Sequence, residues 1–133
     1  MLILADNDVG GAVTALRRIL ESAEWTEFSA ALALRFVEFA DVGLVRDASD
    51  RLVWQMCQEI GAVLITGNRA SGDDSLGQVI RDQAGADSLP IATIGDPQRL
   101  VRDRAYASEC AIRLLDLLER LETLRGTGRL FIP

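Results

Sequence analysis

Polar residues follow apolar runs at three places in this chain. Leu2–Ala5 leads into Asp6-Asn7-Asp8, Val63–Ile65 into Thr66-Gly67-Asn68-Arg69, and Ile91–Ile94 into Gly95-Asp96. Short apolar runs with polar ends read as buried strands. In an open parallel α/β sheet the ligand site lies beyond the carboxyl ends of the strands. Asp6, Asp8, Asn68 and Asp96 are therefore expected on one edge, although they are far apart in sequence. Asp50, at a helix start, and the Asp73-Asp74 pair are candidates to join them. Carboxylates brought together repel one another and are costly to desolvate, and a divalent cation relieves both costs. Oxygen donors without His or Cys favour Mg²⁺ or Mn²⁺. Such an ion activates water and stabilises the charge of phosphodiester displacement.

Composition removes most other chemistry. The 133 residues contain no histidine, and all 14 basic residues are arginines. Ser-His-Asp and Cys-His catalysis lack their usual base, and Schiff-base chemistry and P-loops lack their lysine. Cys57 and Cys110 form no CxxC and lie far apart, so neither a zinc site nor a structural disulfide is expected. Both sit on apolar helical faces and read as core. The net charge of −6 disfavours broad phosphate-backbone binding. A nucleic-acid substrate then needs a metal bridge or a local arginine. Arg69 is the candidate, because its planar fork suits phosphate. No apolar run approaches the ~18–20 residues that span a bilayer, and Asp6 interrupts any leader-like segment, so a cytoplasmic protein with no membrane partner is expected.

Each acid also has an ordinary structural role. Asp and Asn at strand ends form turns and cap helices. Asp8, Asp47, Asp73 and Asp96 each suit that role taken singly, and Asp96 before Pro97 is a good cap. Asp50 also suits a capping position. Asp6 fits it least, because it directly follows a buried strand. Trp25 and Trp54 read as packing residues. The Arg102/Arg104 and Arg113/Arg120 charges alternate with acids and read as a solvated face.

The elements that must position these residues alternate. Met1–Ala5 is a strand, Gly10-Gly11 a turn, and Ala12–Ala23 a helix. Trp25–Leu34 is a second helix, Leu34–Phe39 a strand and Asp41–Asp47 a loop. Ser49 and Asp50 open a helix over Ala48–Ile60 that Gly61 stops. Ala62–Ile65 is a strand ending at Thr66, followed by a polar loop over Gly67–Asp74. Leu76–Gln83 is a helix, Leu89–Ile94 a strand with Pro90 near its start, and Pro97–Leu124 one long helix. Gly126 and Gly128 stop it. The tail Arg129–Pro133 suits an added strand or packing against a second subunit, and packing within the same chain is preferred. The expectation is one domain over residues 1–133, a three-layer α/β/α fold with a mostly parallel central sheet.

At these residues the sequence resembles the PIN-like nuclease superfamily. The first strand ending in Asp6-Asn7-Asp8 looks like its opening signature. Asp50 to Thr66 looks like the middle signature of small PIN-like proteins found near toxin–antitoxin loci, where an acid opens a helix and a strand ends in Thr about sixteen residues later. The family continues Thr-x-Asp, whereas here Asn68 follows Thr66-Gly67. The stretches "LITGNRASGDDSL", "SLPIATIGD" and "RGTGRLFIP" resemble an uncharacterised bacterial subgroup. The resemblance implies a metal-dependent endoribonuclease, with a toxin–antitoxin component among its candidate roles and a cognate antitoxin-like protein and a homodimer among its candidate partners. It implies that Asp6, Asp50, Asn68 and Asp73 or Asp74 lie near Mg²⁺ or Mn²⁺. Asp74 is taken as the fourth member, and Arg69 and Thr66 as substrate contacts. Asn68 supplies no charge, so the alternative is a catalytically inactive PIN-like binding module. A phospho-acceptor receiver domain is set aside, because it relies on a lysine that this chain lacks.

Overall fold

Five short strands and seven helices alternate along the chain. The computed structural model describes all residues, Met1–Pro133. In chain order the elements are β1 (Leu2–Ala5), α1 (Gly10–Leu20), α2 (Thr26–Ala31), β2 (Arg35–Val37) and α3 (Asp50–Ile60). Then follow β3 (Ala62–Thr66), α4 (Leu76–Gln83), β4 (Ile91–Thr93), α5 (Pro97–Arg102), α6 (Arg104–Glu119), α7 (Leu121–Leu124) and β5 (Arg129–Phe131). All strand pairs are parallel, in the order β2-β1-β3-β4-β5. The fold is therefore three-layered α/β/α, and the apolar tail supplies its last strand.

Strand alternation builds the two halves of the core. Ile3, Ala5, Val63, Ile65 and Ala92 face α1 and α6, where Leu16, Cys110, Ala111 and Leu114 meet them fully or almost fully buried. Leu4, Ala62, Leu64 and Ile91 face α3, where Val53, Trp54 and Cys57 close the other side. Both cysteines are free and buried, and burial pushes each thiol up to about 12, so neither is a thiolate nucleophile at neutral pH.

Three helix boundaries differ from the sequence expectation. Gly10 and Gly11 lie inside α1, because a 3-10 turn over Asn7–Val9 takes the chain out of β1 before them. Ser49, not Asp50, caps α3, its hydroxyl accepting from the Leu52 N–H at 3.2 Å. The expected single helix Pro97–Leu124 is three. It breaks at Asp103, whose extended backbone and carboxylate start α6 by accepting from the Tyr106 N–H. An Asp that caps so readily outcompetes continuation of the helix. No helix is long and apolar enough to cross a membrane.

Candidate functional site

The direction of winding reverses at β1, since β2 lies on one side of it and β3 on the other. In a doubly wound sheet this switch point opens the ligand crevice at the strands' carboxyl ends. Asp6 stands there. Its backbone N–H donates to Ile65 O at 2.9 Å, continuing the β1–β3 ladder by one residue. Its Oδ1 accepts from the Asn7 N–H at 2.8 Å and its Oδ2 from the Thr66 hydroxyl at 2.7 Å. The carboxylate is thus fixed from both oxygens. Asn7 in turn donates to the Arg46 carbonyl and ties the Val42–Arg46 segment to the same edge. Thr66, expected to touch substrate, is fully buried instead. Its hydroxyl donates to Asp6 and accepts from the Asn68 N–H at 3.0 Å, so it orients the site from beneath.

Asn68 is a junction. Its Nδ2 donates to Asp50 Oδ2 at 3.2 Å and its Oδ1 accepts from the Ala70 N–H at 3.0 Å. The Arg129 guanidinium donates through Nη1 to the Asn68 carbonyl. With the N–H on Thr66, every polar group of Asn68 is engaged by the chain itself. A backbone N–H on one side and a carboxylate on the other fix which way the amide points. Asn68, expected as a metal ligand, thus directs its amide N–H, not its oxygen, toward Asp50 in the metal-free chain.

Electrostatics single out two carboxylates. Burial pushes Asp6 above its ordinary value, against the pull of the Thr66 and Asn7 hydrogen bonds, and the Asp50 charge adds to the rise. Asp8 is also pushed up, first by desolvation of its carboxyl and then by the Asp6 and Asp50 charges. Asp8 is exposed as a residue, yet its carboxylate lies against Gly67, which explains the desolvation. Asp6, Asp8 and Asp50 therefore share one field. Arg129 enters that field as the one cation desolvated beside it. Burial holds its guanidinium below its ordinary value, and the Asp50 charge offsets part of that.

The other expected residues are placed differently. Asp96 caps α5 by accepting from the Arg99 N–H at 3.0 Å. Asp73 and Asp74 are exposed in the turn before α4, where Asp74 adopts a left-handed φ of 57°. Neither takes part in the hydrogen-bonded set. Arg69 is exposed, and its side chain makes no hydrogen bond or ion pair, which leaves its fork open to an anion. Beside Asp6 a groove of about 390 Å³ runs along Asn7, Glu38, Phe39 and Arg46.

The loop after β3 approaches the β1 end so closely that it admits no side chain at its first residue. A Cβ on Gly67 would lie 2.8 Å from Pro97 Cγ and 3.1 Å from Val9 Cγ1. A proline ring cannot swing aside, so the loop itself must shift. Gly67→Ala is expected to cost about 1–3 kcal/mol by overpacking. The Asp8 Oδ2, 3.4 Å from the same point, is in ordinary contact and need not move. Thermal denaturation checks the effect. An unchanged melting temperature would mean that the three segments do not meet here.

Comparison with protein-family models, curated proteins and solved structures gives no match. The chemistry of the site therefore rests on its own geometry. The donors are hard oxygens, which fit Mg²⁺ or Mn²⁺. No three His, Cys, Asp or Glu side chains stand close enough to enclose an ion directly. The fit is to a cation that keeps several of its waters and takes one or two carboxylates, as Mg²⁺ commonly does. Asp6 and Asp8 are one such pair, and Asp50, whose Oδ2 accepts a single hydrogen bond from Asn68, is a further candidate.

Proposed function

We propose that this chain is a Mg²⁺- or Mn²⁺-dependent phosphodiesterase, an endonuclease of PIN-like type acting on RNA. The observation that carries the reading is the half-buried Asp6 carboxylate held through both oxygens at the switch point, with Asp8 on the adjoining turn and Asp50 tied to the same edge through Asn68. Such a cluster costs stability unless positive charge neutralises it, and Arg129 is a single cation on its Asp50 side, so a divalent ion suits the Asp6 and Asp8 side. A bound divalent ion would supply an activated water and charge neutralisation on the scissile phosphate. The chain's own residues do the rest. Thr66 and Asn7 hold the Asp6 carboxylate in one orientation. Asp8 carries the second charge. Arg69, exposed on the adjoining loop, is placed to take a phosphate oxygen, and the groove past Arg46 leads to Asp6. RNA is the substrate implied by the resemblance of Asp6-Asn7-Asp8 and Asp50–Thr66 to that superfamily.

The test is cleavage of end-labelled RNA by purified protein with Mn²⁺, with EDTA, and by Asp6→Asn. Cleavage by the wild type that needs Mn²⁺ and is lost in Asp6→Asn is expected. Equal residual cleavage by the two proteins would remove the assignment.

A second reading has its own observation. Because Asn68 satisfies Asp50 through an amide N–H, half of the cluster is stable with no metal. That suits a binding module which keeps the fold without cutting. Calorimetric titration with Mn²⁺ separates the two, since such a module shows no heat of binding at millimolar metal.

A further inference from the structure

A charged residue inside an apolar strand needs a reason. Arg129 opens β5, the strand Arg129–Phe131, with Leu130 and Ile132 packed into the core beside it. In the parallel register Arg129 is level with Ile91, and Ile91 with Leu64, so it shares the sheet face that carries Asp6 and Thr66 one layer higher. Its Nη1 reaches the Asn68 carbonyl and the Thr93 hydroxyl. Its Nη2 is buried and has no hydrogen-bond partner. A desolvated guanidinium with its Nη2 unpartnered is unfavourable on its own. A nearby opposite charge must compensate, and Asp50 lies at the far end of the same chain of contacts through the Asn68 amide.

We propose that Arg129 is a positioning residue for the acid cluster. It holds the Thr66–Ala70 segment through the Asn68 carbonyl and serves as the resident counter-charge of Asp50. The Asp50 side of the site is then assembled before any metal arrives, and Asp6 and Asp8 are left as the part that a cation completes. Only the metal arm of the test below rests on the metal reading of the site.

Two measurements decide it. The first is a thermal double-mutant cycle on the full chain without metal, combining Arg129→Met with Asp50→Asn. Arg129→Met alone is expected to lower Tm by about 3–6 °C, from the size scaling of unfolding. In the Asp50→Asn background it should lower Tm by less than half as much. Equal drops in both backgrounds would overturn the counter-charge role, leaving Arg129 an ordinary strand clamp. The second is Mn²⁺ affinity by calorimetry for wild type, Arg129→Met and Arg129→Lys. Removing the charge is expected to tighten Mn²⁺ about five- to tenfold, while Lys, which keeps it, stays within twofold of wild type. Similar affinities for the Met and Lys variants would also overturn the proposal, because both lose the forked hydrogen bonds alike. If no variant binds Mn²⁺ the metal reading fails, and the metal-free cycle still decides the role of Arg129.

Discussion

Asn68→Asp is expected to destabilise the metal-free protein and to make it depend on a divalent ion. The amide now donates to Asp50 at 3.2 Å and accepts from the Ala70 N–H. A carboxylate keeps the second bond and loses the first. It also places a like charge against Asp50, in a field that Asp6 and Asp8 already share. Losing a donor to a charged, half-buried group costs about 1–3 kcal/mol. Repulsion adds to that, so Tm in EDTA should fall by about 5–10 °C for a domain of this size. Mn²⁺ should then restore most of the loss, because a cation recovers what the amide supplied. The wild type should gain much less from the same metal. Melting curves with EDTA and with Mn²⁺ for both proteins measure the difference of differences. Equal metal-induced shifts in the two proteins would mean that position 68 does not face the cluster.

How far the sequence revealed this site depends on the kind of signal each residue left. Asp6 was legible because an apolar strand ends at it, and the sheet order puts that strand end at the crevice. Thr66 and Asn68 were legible as strand-end residues, but not in their roles. Whether a hydroxyl points to solvent or a neighbouring carboxylate depends on register between strands sixty residues apart, which a local pattern does not encode. Asn68 read as a missing acid, yet all four of its polar groups are engaged by the chain. Asp8 read singly as a turn residue. Its importance comes from Gly67, which brings another loop against its carboxylate. Arg129 left a usable trace, a charge inside an apolar tail at the same sheet face as Ile91. Only the β4–β5 pairing shows what it reaches. The break at Asp103 was legible in principle, since Asp is a strong cap, but helical spacing continues across it and conceals it.

The same field makes a prediction for pH. Asp6 and Asp8 both ionise at a pH above their ordinary value of 3.8, so the folded protein binds protons that the unfolded chain has already released. The sign follows directly: within the window above 3.8 the folded state holds more protons, and stability falls as pH rises through it. The opposite slope, from Asp103 and Glu122, lies lower. Their hydrogen bonds hold them below ordinary values of 3.8 and 4.5, and that stability is lost only as the solution becomes more acid. Metal-free wild type should therefore lose stability as pH rises from 3.8 toward neutrality. Asp6→Asn removes one of the two groups responsible. It keeps an acceptor for the Asn7 N–H but leaves the Thr66 hydroxyl proton without its carboxylate, a cost of about 1 kcal/mol. Removing a desolvated charge offsets that cost once the carboxyl is ionised and not where it still holds its proton. The variant should thus be less stable than wild type at the acid end of the window, match or exceed it at pH 7.5, and show a flatter profile between. Mn²⁺ should reverse the order at pH 7.5, because it stabilises only the protein that keeps both carboxylates. On the nuclease reading, cleavage falls at least ~100-fold in the same variant, as for removal of a group acting directly on transition-state charge. A stability gain at neutral pH coupled to a loss of metal response is the pattern of a residue retained for chemistry at the expense of the fold. If Asp6→Asn leaves both the pH slope and the Mn²⁺ shift unchanged, Asp6 is a turn residue and the switch point carries no metal chemistry.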